Sequence, residues 1–142
     1  MRRDLTIPEY NFHSKLWQLA QSQVNRQTNL SSKLLTKGWR KGTEMHEWMA
    51  PAFTRNLDQR LSRPDYGYCV AYKETQNCFG MEGLKKAIIH ANDDGDGIIG
   101  GWYHEGKFYF DSVKKVSNRV HAENLAVLNG QIGIYHLTTD TY

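Results

Sequence analysis

An acidic segment in the second half of the sequence carries side chains that could bind a hard cation. In the first half of an EF-hand calcium loop, oxygen ligands stand at positions one, three and five, a glycine at position six and an apolar residue at position eight. Those places are filled in this sequence by Asn92, Asp94, Asp96, Gly97 and Ile99. Such a set would bind calcium or magnesium through carboxylate and amide oxygens.

The continuation of the segment departs from the calcium-binding pattern. The bidentate carboxylate that an EF-hand needs at position twelve is replaced by Tyr103, and His104 and Glu105 come one and two positions too late. The residues that follow the segment also indicate a strand, where an EF-hand has a helix. We therefore predict that the segment is a solvated acidic connection and not a metal site. The alternative is a weak cation site formed by Asn92, Asp94 and Asp96.

His121 and Glu123 form the H-x-E element of zinc deaminases, in which the histidine binds zinc and the glutamate transfers protons. Those enzymes complete the metal site with a later P-C-x-x-C. Here Cys69 and Cys78 both precede the element, and no Cys or Pro follows Glu123. A zinc site that lacks ligands cannot hold the metal. We predict that His121 and Glu123 are ordinary exposed residues of a helix.

Other catalytic patterns are incomplete as well. His46 and Glu47 begin the zinc-protease pattern H-E-x-x-H, but its second histidine is replaced by Ala50. The sequence contains neither the nucleophile elbow G-x-S-x-G nor the phosphate-loop ending G-K-[ST]. We therefore predict no catalytic residue and no cofactor. An active site assembled from distant residues stays an alternative, because catalytic triads form in space and not in sequence.

Basic residues of the first half form the candidate binding surface. Residues 1–63 contain 11 Lys or Arg and 5 Asp or Glu, a net charge of +6, whereas residues 64–142 contain 7 and 10, a net charge of −3. If a helix continues past Gly38, one stripe would consist of Lys33, Lys37, Arg40 and Lys41, and Trp39 lies close enough in sequence to offer a ring for stacking. Such a stripe could follow a phosphate backbone or an acidic protein surface, and Trp48 offers a second ring for stacking. The alternative is a solvated helix face with both tryptophans in the core.

Apolar periodicity predicts helices in the first half and a sheet in the second. Spacings of three and four favour helices over 12–25, 31–37 and 51–61, the last beginning at Pro51. Alternation with a period of two favours a strand over 66–72. The remaining predicted elements are a helix over 81–91, a loop over 92–97, hairpin strands over 98–103 and 107–113, a helix capped by Asn118 and a strand over 132–137.

These elements predict one α+β domain over residues 1–142, mainly helical and basic over 1–63. Residues 64–142 would form a strand and a helix-strand-strand-helix-strand unit with a small antiparallel sheet. The 142 residues are 39% apolar, which is enough for a core without a disulfide, and two cysteines suit a reducing compartment. No segment approaches the roughly 18 apolar residues that a membrane helix needs. We expect a cytoplasmic protein that does not contact membranes.

Three motifs in the last third of the chain resemble a known group of proteins. They are Gly-Gly-Trp-Tyr at 100–103, Tyr-Phe-Asp-Ser-Val at 109–113 and Asn-Gly-Gln-Ile-Gly-Ile-Tyr-His-Leu at 129–137. Their spacing is similar to that of a small module of bacteriophage and mobile-element proteins, most of them of uncharacterised role. The resemblance implies an origin more than an activity, and the motifs suit a packed hairpin and a turn into the last strand.

From these patterns we expect a non-enzymatic protein of a phage or mobile element that occupies a surface of a host or viral macromolecule. The partner would be a protein complex, such as a defence complex, the transcription machinery or a virion component, contacted by the basic helical half. Direct nucleic-acid binding by the same residues is the first alternative, and a small metal-assisted enzyme is the second. Near the hairpin, Tyr103, His104, Glu105 and Tyr109 could form either a binding patch or a surface loop.

Overall fold

The computed structural model describes residues 3–36, 52–64, 67–128 and 135–136. Within these ranges the fold is α+β, with a helix first and then strands and helices. The helices are α1 (Ile7–Thr36), α2 (Gly80–Asp93) and α3 (Arg119–Leu128), and the strands are β1 (Ala52–Asn56), β2 (Tyr68–Ala71), β3 (Ile98–His104), β4 (Lys107–Val116) and β5 (Tyr135–His136). None of these helices combines the length and the apolar character that crossing a membrane requires.

The strands form one antiparallel sheet in the order β1-β3-β4-β2-β5. β4 is the central strand, because residues 107–112 pair with β3 and residues 113–116 pair with β2 on the other edge. The hairpin between β3 and β4 closes at Glu105 and Gly106, whose φ angles are 50° and 83°. Positive φ at both central residues is typical of a type I′ turn. The predicted hairpin is therefore confirmed.

α1 and α2 cover one face of the sheet, which we call the helix face. The buried residues between them and the sheet are Leu16, Ala20, Phe53, Leu84, Ala87, Ile88, Ala91, Ile99, Phe108 and Phe110. Phe110 is fully buried at the centre of this set, and its ring centroid lies 6.2 Å from that of Trp17 on α1. The apolar stripe of α2 thus packs directly on the central strand, and this contact removes the apolar side chains from water.

Successive side chains of β3 and β4 alternate between the helix face and the opposite face, which we call the second face. Phe108 and Phe110 lie on the helix face, so Tyr109 and Asp111 lie on the second face. At one end the second face has its own buried apolar cluster, which consists of Cys69, Ile98 and Val113. The other end of the second face, near the hairpin turn, carries exposed side chains.

Several predicted elements are confirmed where the structure describes them. β2 lies within the strand predicted over 66–72, and α2 spans the helix predicted over 81–91. The side chain of Asn118 caps α3, since its Oδ1 accepts the N–H of His121 at 3.1 Å. The strand predicted over 132–137 is present at Tyr135–His136, and its other positions lie outside the described residues.

The helix predicted over 51–61 is wrong, because Ala52–Asn56 form β1 and pair with β3. The spacing of Phe53, Leu57 and Leu61 suggested a helix, but these residues reach the core differently. Phe53 points inward from the strand, and the two leucines pack against the same core from the turn that follows it. Periodicity in so short a segment cannot separate a helix from a strand. Residues 52–61 are therefore strand and turn where the sequence predicted a helix.

The two helices predicted before Gly38 form a single helix in the described residues. α1 begins at Ile7, five residues earlier than predicted, because Thr6 and Glu9 form a capping box. The Thr6 hydroxyl accepts the N–H of Glu9 at 3.3 Å, and Glu9 Oε1 accepts the N–H of Thr6 at 2.8 Å. The predicted loop is also shorter at its start, because α2 continues through Asp93.

Candidate functional site

The predicted basic stripe lies almost wholly outside the described residues. Lys37, Trp39, Arg40 and Lys41 belong to the range 37–51, which the structure does not describe. Lys33 lies in the last part of α1, from residue 27 onward, and only the backbone of that part is described. The stripe therefore stays a prediction.

The side chains of the acidic segment point to different partners. Asn92 lies in the last turn of α2, and its Nδ2 donates a hydrogen bond to Glu9 Oε2 at 2.7 Å. Asp96 Oδ2 accepts the backbone N–H of Lys115 on β4 at 3.1 Å. Asp94 is exposed at the end of the helix. The segment therefore connects α2 to α1 on one side and to the sheet on the other.

Asn92 is part of an ionic contact that we call the N-terminal clamp, formed with Arg3, Glu9 and Asp93. Arg3 donates hydrogen bonds of 2.6 and 2.8 Å to the two oxygens of Glu9, and two bonds of 2.9 Å to Asp93. The Arg3 guanidinium lowers the pKa of Glu9 to about 2, although burial acts in the opposite direction. The clamp fixes the start of α1 to the end of α2, so we assign it a structural role.

The deaminase-like pair lies on the exposed side of α3. His121 is exposed, and Glu123 accepts a hydrogen bond from Arg119 one turn earlier at 2.9 Å. Burial raises the pKa of the Cys69 thiol to about 12 and also raises that of Cys78. A raised thiol pKa disfavours the thiolate that nucleophilic attack and metal binding require. Across the described ranges, no group of three or more His, Cys, Asp and Glu side chains is placed to hold a metal ion.

Polar residues of the segment 72–75 contact α2 on one side and β4 on the other. The Thr75 hydroxyl accepts the backbone N–H of Ser112 at 3.0 Å, and both residues are buried. His90 Nε2 lies 3.5 Å from Glu74 Oε2, and the His90 ring lies 4.8 Å from that of Tyr72. A serine, a histidine and a carboxylate suggest nucleophilic catalysis. The Ser112 side chain, however, is fully buried, so a substrate cannot reach its hydroxyl.

Four rings lie side by side on the second face near the hairpin turn, and we call them the aromatic row. They are Phe79, Tyr109, Trp102 and His104. Trp102 and Tyr109 are stacked, with ring centroids 4.8 Å apart and planes 20° apart. Phe79 meets Tyr109 edge-on at 5.8 Å, and His104 lies 5.4 Å from Trp102. Phe79 is still 47% exposed and Trp102 39% exposed, so the row presents apolar ring surface to solvent.

The register of the hairpin positions the aromatic row. Trp102 pairs with Tyr109 across the two strands, and Phe79 forms an isolated bridge to Tyr109 from the other side. Paired residues share a face of the sheet, so the three rings must line up. Lys107 pairs with His104 beside the turn, and its Nζ lies 4.4 Å from the centroid of the Phe79 ring, within the range of a cation–π contact.

Asp111 follows the aromatic row on the second face. It lies two residues beyond Tyr109 and pairs with Gly100. Burial raises the pKa of its carboxyl to about 6, and a hydrogen bond from the Trp102 side chain opposes that effect. The carboxyl therefore serves as a fixed acceptor for the indole and helps to hold the exposed ring in place.

The sequence indicated part of this surface. His104 and Tyr109 belong to the patch that was one of the two alternatives for the hairpin, and Glu105 lies at its rim with Oε1 3.5 Å from His104 Nε2. Tyr103 does not belong to the row, because it packs against the core on the helix face. Trp102 was missed, although counting back from the turn places it on the same face as Tyr109.

Among the described residues, the aromatic row combines exposed apolar rings with a fixed geometry. Tryptophan and tyrosine are enriched at the energetic centres of protein interfaces, and a hairpin holds them with little loss of entropy on binding. Comparisons of the chain with protein families, with curated proteins and with solved structures found no match.

Proposed function

We propose that this chain is a non-enzymatic binding protein that occupies a surface of a host or viral protein complex, with the aromatic row as its contact. One observation carries the proposal: Phe79 and Trp102 stay exposed although they belong to a packed set of rings. Exposed apolar surface of this kind is stabilised when a partner removes it from water.

The surroundings of the row suit a protein partner. Lys107, His104 and Glu105 are exposed beside the rings and provide charged groups of both signs. An apolar centre with a polar rim is the usual arrangement of protein interfaces. The rings also contact one another, so their side chains are already ordered before a partner binds.

The origin in a phage or mobile element is part of the same proposal. It rests on the resemblance of the motifs at 100–103 and 109–113, which contain Trp102 and Tyr109. Among the described residues, two groups that could act as nucleophiles are unsuited to that role. The Ser112 side chain is buried, and burial raises the pKa of the Cys69 thiol to about 12.

The test is affinity capture from a bacterial lysate with the full chain and three variants. Phe79→Ala and Trp102→Ala each shorten an exposed ring of the row, and Val127→Ala shortens an equally apolar exposed side chain on α3. We expect a stoichiometric protein that the wild type and Val127→Ala retain and the two row variants lose. With the purified partner, each row variant should bind about 30-fold more weakly, as hot-spot truncations do. Equal binding by Trp102→Ala and Val127→Ala would refute the role of the row.

Nucleic-acid binding is a second candidate, and the same rings favour it. Exposed faces of Trp102 and Phe79 with Lys107 nearby could stack unpaired bases beside a phosphate. A gel shift with a single-stranded oligonucleotide over a salt series tests this function. Binding that falls steeply with salt and is lost in Trp102→Ala would favour it over a protein partner.

A further inference from the structure

Two arginines, Arg55 and Arg63, flank the loop that closes the end of β1, away from the aromatic row. The backbone N–H of Asn56 donates to the carbonyl of Ser62 at 2.7 Å, and Asn56 Nδ2 donates to Ser62 Oγ at 3.1 Å. Residues 56 and 62 therefore face each other across a closed loop. Their neighbours Arg55 and Arg63 flank this contact, and they lie close enough for the charge of Arg63 to lower the pKa of Arg55.

The charges of this arginine pair are poorly compensated within the described residues. Arg55 is half-buried, and the hydrogen bond of its guanidinium is a 3.2 Å contact from Nη1 to the carbonyl of Thr54. Burial and the charge of Arg63 both lower the pKa of Arg55. The carboxylate of the same loop, Asp58, is used by the loop itself, because it accepts hydrogen bonds from the backbone and hydroxyl of Ser62.

Like charges placed opposite each other destabilise a pair of extended segments, and a half-buried charge without a counter-ion adds to the cost. An anion between the two side chains would relieve both effects. The guanidinium group presents paired N–H donors that match the oxygens of a phosphate in a bidentate arrangement. Among the described residues, the Arg55 guanidinium donates a hydrogen bond to the carbonyl of Thr54 through Nη1, and its other N–H groups are donors that such a ligand could accept.

We propose that Arg55 and Arg63 form a binding site for a phosphate group. The formal net charge of the chain, +3, also favours association with an anion. A phosphate could be supplied by free inorganic phosphate or by a nucleic-acid backbone, which present the same oxygens. The proposal does not rest on the function assigned to the aromatic row.

The first test is calorimetric titration of the full chain with inorganic phosphate, together with melting curves, at an ionic strength held constant with chloride. We expect phosphate to raise the melting temperature. Arg63→Gln (R63Q), which changes an exposed side chain, should weaken phosphate binding about tenfold. The same variant should melt at a higher temperature than the wild type without phosphate, because it removes the repulsion with Arg55. Substitution of an arginine with only a structural role would not both weaken phosphate binding and raise the melting temperature in the absence of phosphate.

Arg119→Gln is the matched control, because it removes the same charge from α3, where Arg119 is paired with Glu123. It should bind phosphate as the wild type does. Arg55→Lys keeps the charge but loses the paired donors, so it should bind phosphate several-fold more weakly. The proposal is overturned if phosphate stabilises no more than chloride, or if Arg119→Gln weakens binding as much as Arg63→Gln.

A parallel titration with a short single-stranded oligonucleotide identifies the source of the phosphate. Oligonucleotide binding that Arg63→Gln weakens would support the site and assign it to a nucleic-acid backbone. Binding of inorganic phosphate without oligonucleotide binding would support the site and assign it to a free phosphate. Oligonucleotide binding that is equal in Arg63→Gln and the wild type, with no binding of inorganic phosphate, would overturn the proposal.

Discussion

Replacing Glu9 by glutamine (E9Q) removes the negative charge at the centre of the N-terminal clamp. The Glu9 side chain is buried and receives hydrogen bonds from Arg3, Thr6 and Asn92. Glutamine keeps the size of the side chain but cannot form the charged pair with Arg3, which would then depend on Asp93 alone. We therefore expect E9Q to weaken the attachment of α1 to α2 and to lower the free energy of unfolding.

The pKa of Glu9 sets the size and the pH range of this effect. A carboxyl whose pKa falls from 4.5 to about 2 on folding stabilises the folded state by about 3 kcal/mol at neutral pH. Arg3 is 34% exposed, so solvent screens the pair and about 2 kcal/mol is the better expectation. Because the folded pKa is depressed, this stability is fully present above pH 4.5 and is lost as the pH falls through 2.

Urea unfolding of the wild type and E9Q at pH 7, 5, 4, 3 and 2 measures the effect. We expect E9Q to be less stable by about 2 kcal/mol at pH 7 and by less than about 1 kcal/mol at pH 2. Glu123→Gln is the matched control, because it removes an exposed pair with Arg119 and should change stability by at most about 0.5 kcal/mol. A difference between E9Q and the wild type that does not depend on pH, or equal effects of the two variants, would refute the reasoning.

Three further substitutions, one of them with a paired control, test the packing and the buried polar groups. Asp111→Asn should stabilise the protein by about 2 kcal/mol at pH 7 and by almost nothing at pH 3, because a pKa raised to about 6 makes the ionised carboxyl unfavourable in the folded state. Urea unfolding at both pH values measures this, and a destabilised variant at pH 7 would contradict it. Gly101→Ala should lower stability by about 1–3 kcal/mol, since a Cβ would lie 2.5 Å from the Phe53 ring; an unchanged melting temperature would contradict that packing. Thr75→Val removes the acceptor of the buried Ser112 N–H and should lower the free energy of unfolding by about 1–3 kcal/mol. Ser112→Ala should leave stability nearly unchanged, because the Ser112 hydroxyl has no hydrogen-bond partner among the described residues. Equal melting temperatures of these two variants would contradict the expected difference.

The elements that were predicted correctly depend on local signals. The hairpin follows from a turn in which Glu105 and Gly106 adopt positive φ, and α3 follows from the cap at Asn118. α2 follows from an apolar stripe that meets the core along its whole length. Each of these signals lies within a few residues of the element that it specifies, so it is visible in the sequence.

The features that were missed depend on contacts between distant residues. β1 exists because it pairs with β3, more than 40 positions later in the chain. The N-terminal clamp joins Arg3 to Asp93, and nothing near either residue indicates the other. The aromatic row requires both the register of the hairpin and the bridge from Phe79. Periodicity carries no information about such pairings, so these features could not be predicted from the sequence alone.

The motifs at 100–103 and 109–113, which the sequence presented as scaffold, determine the exposed surface and the core together. Gly101 allows the Phe53 and Phe108 rings to approach β3 on the helix face, and the neighbouring Trp102 points to the second face. A shift of β4 by one residue relative to β3 would turn Tyr109 toward the helix face, away from Trp102, and would expose Phe108 and Phe110. The core therefore fixes the register, and the register fixes the aromatic row. The proposed binding surface, built in this way, needs no loop of its own.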